Sequence, residues 1–536
     1  MPTRRALVRG ALSLPPMALA TAAPRANGAG ILRIGTATPA TTFDPHFHAH
    51  APSHALHRHV FEGLLVRRSD LRLRPGLARA WAPLPSGEGW EFHMDPAARF
   101  HDGTPVTAAD AAASIRRVAT VPASPSRWTP FIAEVERAEA VDPLTLRLHT
   151  RGPAPLLPGS LPAILIVPER IALHATTAAF NAGSAAIGSG PFRLRSFAPR
   201  DLIELDADPG WWQRDRGVIP APAFARAAFR PVPADPVRLA ALLAGDLDLI
   251  EALPTADLAR LQARRGFAVA RAPSMRFVYL ALDQGRDESP GLADLQGRAL
   301  ARNPLKDVRV RRALSLAINR GAIVAQVMDG QATPTGQMLP DDLPSAVPNL
   351  PPDRFDPLAA RRLLEEAGWA EGFRLRLATS NDRLPNDEKV AQAVAQMWGR
   401  IGVRTEVDAL PAAVYAGRFT AGAFTAALGS WGTAQGEPNT YFTALLATRD
   451  AARGQGSWNA SHYANPRLDA LVERALATPG DAMRHALWQE ATRIALVEDA
   501  ALLPLYHQVN IWAMRAGLAV EPRRDENMDI TELRAS

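Results

Sequence analysis

An α/β protein, with sheets covered by helices, is the fold class this chain predicts, and three observations carry the prediction. Strand and helix patterns alternate along almost the whole length from about residue 27. Residues 90–117 place a strand, a tight turn and a capped helix one after another with no slack. Several helices carry both a start and a stop signal, so their ends are written in the residues themselves.

In chain order, residues 31–35 read as a strand that feeds a loop over residues 36–50, before a helix beginning near Pro52. Glu91, His93 and Asp95 then alternate with Trp90, Phe92 and Met94, the period of a half-buried strand, and Asp102-Gly103 supplies a turn. Thr107 is placed to cap the next helix: its hydroxyl accepts the Asp110 N–H, and Asp110 lies in the positive first turn. Asp307 opens a helix with the apolar stripe Val310, Leu314, Ala317 and Ile318. Asp356 caps another, Pro357 takes its first position, Leu358, Leu363 and Leu364 form its stripe, and Gly368 ends it. Residues 373–379 form a strand feeding a loop over 380–385, and from Asp387 Val390, Val394, Met397, Trp398 and Ile401 share one helix face, with Gly402 as the stop. A further strand over 424–430 runs into a loop from Trp431 to Pro438.

At 536 residues the length suggests several domains, and 47% hydrophobic content is ordinary for a chain with real cores. The formal charge is +6, yet the arginines are scattered and Lys306 and Lys389 are the only lysines. No basic run with interleaved aromatics appears, which argues against a nucleic-acid partner. Arg4-Arg5, a modestly apolar stretch over residues 10–20 and small residues at Ala18 and Ala20 read as a twin-arginine-type export signal over residues 1–26. That apolar part, and the run over 156–167 broken by Pro158, Gly159 and Pro162, fall short of the roughly 20 residues that span a bilayer. The chain has no cysteine, so a disulfide, a thiolate metal site, a cysteine nucleophile and a lipid-bearing cysteine are all excluded. A periplasmic protein with its signal cleaved and no lipid anchor is expected.

The segment Phe100-His101-Asp102-Gly103-Thr104-Pro105-Val106-Thr107-Ala108-Ala109-Asp110 closely resembles a signature of the family 5 extracytoplasmic solute-binding proteins, the dipeptide and oligopeptide receptors of ABC importers. Phe43-Asp44-Pro45-His46, Phe61-Glu62-Gly63-Leu64, Ile187-Gly188-Ser189-Gly190-Pro191-Phe192, the run from Lys306 to Leu314, Glu366-Ala367-Gly368-Trp369, Asn465-Pro466-Arg467-Leu468-Asp469 and Leu503-Pro504-Leu505-Tyr506 look like the same family in the same order. The resemblance implies a two-lobed periplasmic binding protein-like fold with two hinge crossovers and an extra subdomain inserted in lobe I. It places the lobe I core at residues 27–66 and 187–272, the insert at 67–186, lobe II at 273–505 and the return to lobe I at 506–536, with crossovers near 271–283 and 502–510. It further implies capture of a small polar ligand by lobe closure and delivery to ABC permease subunits in the inner membrane, by a monomer without cofactor.

In open α/β sheets ligands gather at the carboxyl ends of strands, which singles out the loops after residues 35, 379 and 430. From these loops the candidate ligand contacts are Phe43, His46, Asn381, Arg383, Trp431, Gln435 and Asn439. Arg383 leads, because a guanidinium at a cleft mouth holds a carboxylate with two parallel bonds; the alternative is a salt bridge to Asp382 or Asp387. Trp431 is either a stacking wall or core packing. The loop after Trp431 resembles the segment that in peptide-binding relatives holds an Asp against the peptide's α-ammonium, and here that position is Ala434. Burying an ammonium without a partner costs about 3–5 kcal/mol, against the roughly 8 kcal/mol of a micromolar affinity, so ordinary peptide recognition is not expected. Glu437 either substitutes for that Asp or, on the favoured reading, caps the next helix.

Two rival classes remain. An exported hydrolase lacks support, since no G-x-S-x-G elbow, H-E-x-x-H or P-loop is present, and Gly188-Ser189-Gly190 falls short of a G-x-G-x-x-G. A nickel-type receptor is suggested by the crowding of His46, His48, His50, His54, His57 and His59. However, His46, His48 and His50 alternate sides in an extended loop and His57 and His59 lie on different helix faces, so no metal site is expected.

Overall fold

Successive side chains of one long strand feed two different cores, and that sets the layering. In Phe267–Leu282, Phe277, Tyr279 and Ala281 pack into one buried cluster while Val278, Leu280 and Leu282 pack into another. A strand buried on both faces belongs to a sheet with helices on each side. The computed structural model describes residues 30–216 and 220–535; the expected export signal lies outside the described residues.

An eleven-stranded sheet runs through the molecule. At one end, Val403–Leu410, Phe373–Ser380 and Ala426–Trp431 lie side by side; at the other are Leu249–Glu251, Ile31–Thr36, Arg226–Pro231, Leu202–Ala207 and Phe192–Ala198. Two strands of 16 and 14 residues, Phe267–Leu282 and Leu502–Arg515, join these halves and pair antiparallel along their length. Their register slips between Pro273 and Phe277, where no ladder holds the strand rigid, so each lobe keeps its own half of the sheet across a two-stranded waist. The short strand Ala332–Pro334 pairs beside this waist, against Tyr506–Gln508.

A separate four-stranded antiparallel sheet, Ala78–Pro83, Gly89–Met94, Thr145–Thr150 and Val135–Asp142 in spatial order, is covered by the helix Ala108–Thr120. Phe92, Met94, Ala111, Ile115, Leu146 and Leu148 form its core. Thr107 and Asp110 form a reciprocal capping box: the Thr107 N–H donates to the Asp110 carboxylate at 2.7 Å and the Asp110 N–H to the Thr107 hydroxyl at 3.5 Å.

The other helix signals also find their partners. Asp307 accepts the Arg309 N–H, Asp356 accepts the Ala359 N–H, and Gly368 and Gly402 stop their helices at φ +82° and +92°. One boundary differs from the expectation: the strand expected over residues 424–430 is Ala426–Trp431. Phe424 stacks on Tyr415 at 5.5 Å instead, and its carbonyl accepts a bond from Arg286, so packing before the strand takes it out of the ladder. Among the described residues no helix is long and apolar enough to cross a membrane.

Candidate functional site

Parallel pairing decides which loops meet at the waist. Phe373–Ser380 and Ala426–Trp431 run parallel, and Trp431 lies opposite Phe277 beside the register slip, so the loops over 381–386 and 432–438 both emerge towards the first lobe. Ile31–Thr36 and Leu249–Glu251 are likewise parallel and present their carboxyl ends from the other side. The space between these loop sets is the candidate ligand cleft.

Arg383 is exposed there. Neither of its expected alternative partners holds it: the Asp382 carboxylate accepts the Ala412 N–H, and Asp387 accepts the Ser380 hydroxyl and the Leu384 N–H. Among the described residues no carboxylate pairs with it. Burial, then the neighbouring Arg276 guanidinium, push the Arg383 pKa below the ordinary arginine value, while Tyr415, Tyr279 and Glu526 pull the other way. Its guanidinium is therefore unanswered by any carboxylate among the described residues.

Arg276, which the sequence does not mark, lies within the register slip between Pro273 and Phe277. Its Nε and Nη2 donate to the two oxygens of Glu526 at 2.8 and 2.7 Å, and its Nη1 donates to Ser430 Oγ at 3.3 Å. Ser274 Oγ adds a bond to Glu526 at 2.9 Å. Glu526 reaches the cleft because the C-terminal segment is anchored from below. Arg523, 1% exposed, donates to Asp525, to Glu532 and to the Arg67 carbonyl, and Arg524 pairs with Asp342 at 2.6 Å. Residues 250 positions apart in sequence give no linear signal, so Arg276 and Glu526 were legible only in three dimensions.

The remaining candidates divide. Trp431 is half-buried: it donates to Thr440 Oγ1 at 3.2 Å and meets Trp458 edge-on at 5.7 Å, so core packing holds it. Gln435 reaches across the molecule to Ser160 Oγ at 3.0 Å, and its carbonyl accepts Arg67 Nη1 at 3.4 Å. Asn381 is exposed, with its N–H on the Leu410 carbonyl. Asn439 stands at the start of the short helix Asn439–Tyr441, with its Oδ1 buried and unpaired among the described residues.

Two expected contacts lie elsewhere. Phe43 is fully buried against His57, Phe61 and Phe197, because its ring completes the core that also holds Leu56, Val60 and Phe180. His46 is also fully buried, bonded through Nε2 to the Leu165 carbonyl at 2.6 Å, and burial lowers its pKa to about 4.

Glu437 takes neither role expected of it. Its carboxylate is held by Arg484 at 2.7 Å and by Trp488 Nε1 at 2.8 Å, and the next helix starts without a side-chain cap. Ala434 remains beside the cleft with no acidic neighbour supplied by Glu437. The crowded histidines go separate ways: His48 to Thr41, His50 to Ser53, His57 to the Thr42 carbonyl, His59 to Leu56 and Ile530. Among the described residues no group of three or more histidines and carboxylates is arranged to hold a metal ion.

Comparison with known proteins agrees with this architecture. The family described as "Bacterial extracellular solute-binding proteins, family 5 Middle" matches residues 72–453. The glutathione-binding protein GsiB of Pectobacterium atrosepticum is 25% identical over 460 residues, covering 84% of each chain. Among solved structures, the periplasmic binding protein DppA of Helicobacter pylori, in complex with the peptide STSA, is 19% identical with a TM-score of 0.78, covering 95% of this chain and 98% of that one. NikZ of Campylobacter jejuni, in complex with Ni(L-His), is 19% identical with a TM-score of 0.77, covering 94% and 99%. The chain has the two-lobed fold of these solved structures and belongs to family 5 of the bacterial extracellular solute-binding proteins.

Proposed function

We propose that the protein captures a small acidic solute, peptide-like but without a recognised free α-ammonium, and that Arg383 anchors its carboxylate. The observation that carries this is an exposed guanidinium with no carboxylate partner among the described residues, in a cleft whose neighbouring loop offers Ala434 and an already engaged Glu437. A free guanidinium at such a place favours a carboxylate through two parallel bonds. N-blocked peptides, opine-like acids and glutathione-like compounds fit this chemistry; GsiB, a relative of similar length, is named for glutathione.

On this reading the lobes are residues 27–272 with 506–536, and 273–505, with residues 67–186 as an insert in the first. The monomer, its export signal cleaved and carrying no lipid anchor, closes on the solute in the periplasm and presents the closed form to the permease. Contacts made only in the closed state shift the population, as a differential affinity must. The bond from Gln435 to Ser160 joins the two proposed lobes.

The test is native mass spectrometry of the protein purified from its export compartment, followed by thermal-shift titration of the solute found. A ligand at 100 times its dissociation constant adds about 2.7 kcal/mol of stability. Arg383→Ala is expected to weaken its binding at least tenfold, and unchanged affinity removes Arg383 from the site.

A further inference from the structure

Among the described residues two guanidiniums and one carboxylate stand where Ala426–Trp431 and its parallel neighbour Phe373–Ser380 end beside the register slip, and they do not balance. Arg276 and Arg383 bring two guanidiniums, and Glu526 brings one carboxylate. That carboxylate is spent on Arg276: both its oxygens are engaged, at 2.8 and 2.7 Å, in the fork geometry that a ligand acid would otherwise use. Arg276 is held still by the same contacts and by Ser430, and its guanidinium lies over Gly432, where a Cβ would stand 3.6 Å from Nη2. The pair remains open to the cleft, with Arg276 23% and Glu526 34% exposed.

The backbone also pays attention to this carboxylate's position. Glu526 sits at φ +64°, in the left-handed region that a residue with a Cβ adopts at a cost, and the buried Arg523 network on either side of it keeps it there.

We propose that Glu526 is the specificity-determining residue of the cleft: by occupying Arg276 it leaves one net positive charge for the ligand, so that a solute offering a single acid group to Arg383 is accepted and one offering a dianion is refused. A second negative charge brought to this end meets the Glu526 carboxylate rather than a free guanidinium, and like charges this close in a partly desolvated cleft repel strongly. The inference rests on the reading of Arg383 as the carboxylate anchor.

Inorganic sulfate, a compact dianion, tests it by isothermal titration. Glu526→Gln frees Arg276 beside Arg383 and is expected to bind sulfate at least fivefold more tightly than the wild type. Glu526→Asp, which keeps the charge, is expected to stay weak, and Glu526→Gln with Arg383→Ala is expected to lose the gain. Should Glu526→Gln fold poorly, Glu526→Gly removes the same charge and adopts a positive φ without strain. A gain below fivefold in the uncharged variants overturns the proposal. If Arg383→Ala still loses the co-purified solute in that case, the anchor stands and only the role of Glu526 falls; if it does not, both fall.

Discussion

Two loops leave the carboxyl ends of parallel strands on opposite sides of the cleft, both rich in titratable groups, and they use them in opposite ways. After Ile31–Thr36 the chain turns its acids and histidines inward. Asp44 takes both Arg117 nitrogens at 2.7 Å and the Thr177 hydroxyl, and His46 and His57 are bonded to backbone carbonyls inside the core. After Phe373–Ser380 the carboxylate of Asp382 is taken up by the Ala412 N–H and that of Asp387 by the Ser380 hydroxyl, and among the described residues the Arg383 guanidinium is left without a carboxylate partner. The density of polar residues is therefore a poor guide to a binding surface. What distinguishes the two loops is whether the charge is answered from within the protein, because an answered buried charge stabilises the fold and an unanswered exposed one is available to a ligand.

The sharpest way to break this contrast is to unanswer the buried pair. Asp44→Ala leaves Arg117, 6% exposed, without its carboxylate and is expected to cost about 3–5 kcal/mol in urea unfolding. A loss below about 1 kcal/mol would mean that the pair is not what the first loop is built around.

Acid is the next largest perturbation. Burial lowers the pKa of His46, His57 and His507 to about 4 and that of His54 to about 3, below the free value of 6.5. Between pH 6.5 and 4 the unfolded chain binds these protons and the folded one does not, so stability falls as pH falls through that window. Glu62, raised by burial to about 7, works in the opposite sense between pH 4.5 and 7, since the folded state holds its proton longer. Among the groups moved furthest in this range four histidines oppose one carboxylate, and the net is a loss on acidification. Melting temperatures across this range check it, and a flat profile down to pH 4 would contradict the buried, neutral histidines.

On the open side, Arg383→Ala is expected to leave stability within about 0.5 kcal/mol while weakening ligand binding, which urea unfolding and titration together separate. A marked loss of stability would make Arg383 a member of the core loop class after all. Smallest in reach is Thr107→Ala, expected to cost about 1 kcal/mol through the capping box with no effect on binding, because the helix Ala108–Thr120 belongs to the separate four-stranded sheet.

Local chemistry explains what was legible beforehand. The caps at Thr107, Asp307 and Asp356 and the stops at Gly368 and Gly402 act within a few residues, so each could be read and each is found in place. The strand ends before the loops over 381–386 and 432–438 were also close, and Arg383 stood out because its loop is short. Phe43 and His46 misled because an aromatic and a histidine after a strand carry no mark of which way they point. Glu437 misled for a related reason: its partners Arg484 and Trp488 lie 47 and 51 residues away, beyond any local pattern.

By itself the sequence determined the class of this molecule: alternating strands and helices, their ends, the family wording around Phe100–Asp110 and the absence of thiol chemistry all follow from neighbouring residues. Tertiary structure alone decided which charges remain unpaired. Arg276 meets Glu526 across 250 positions and Gln435 meets Ser160 across 275, because the two long strands of the waist fold distant segments onto one cleft. Pairing energy depends on distance in space, and no spacing along the chain encodes that distance.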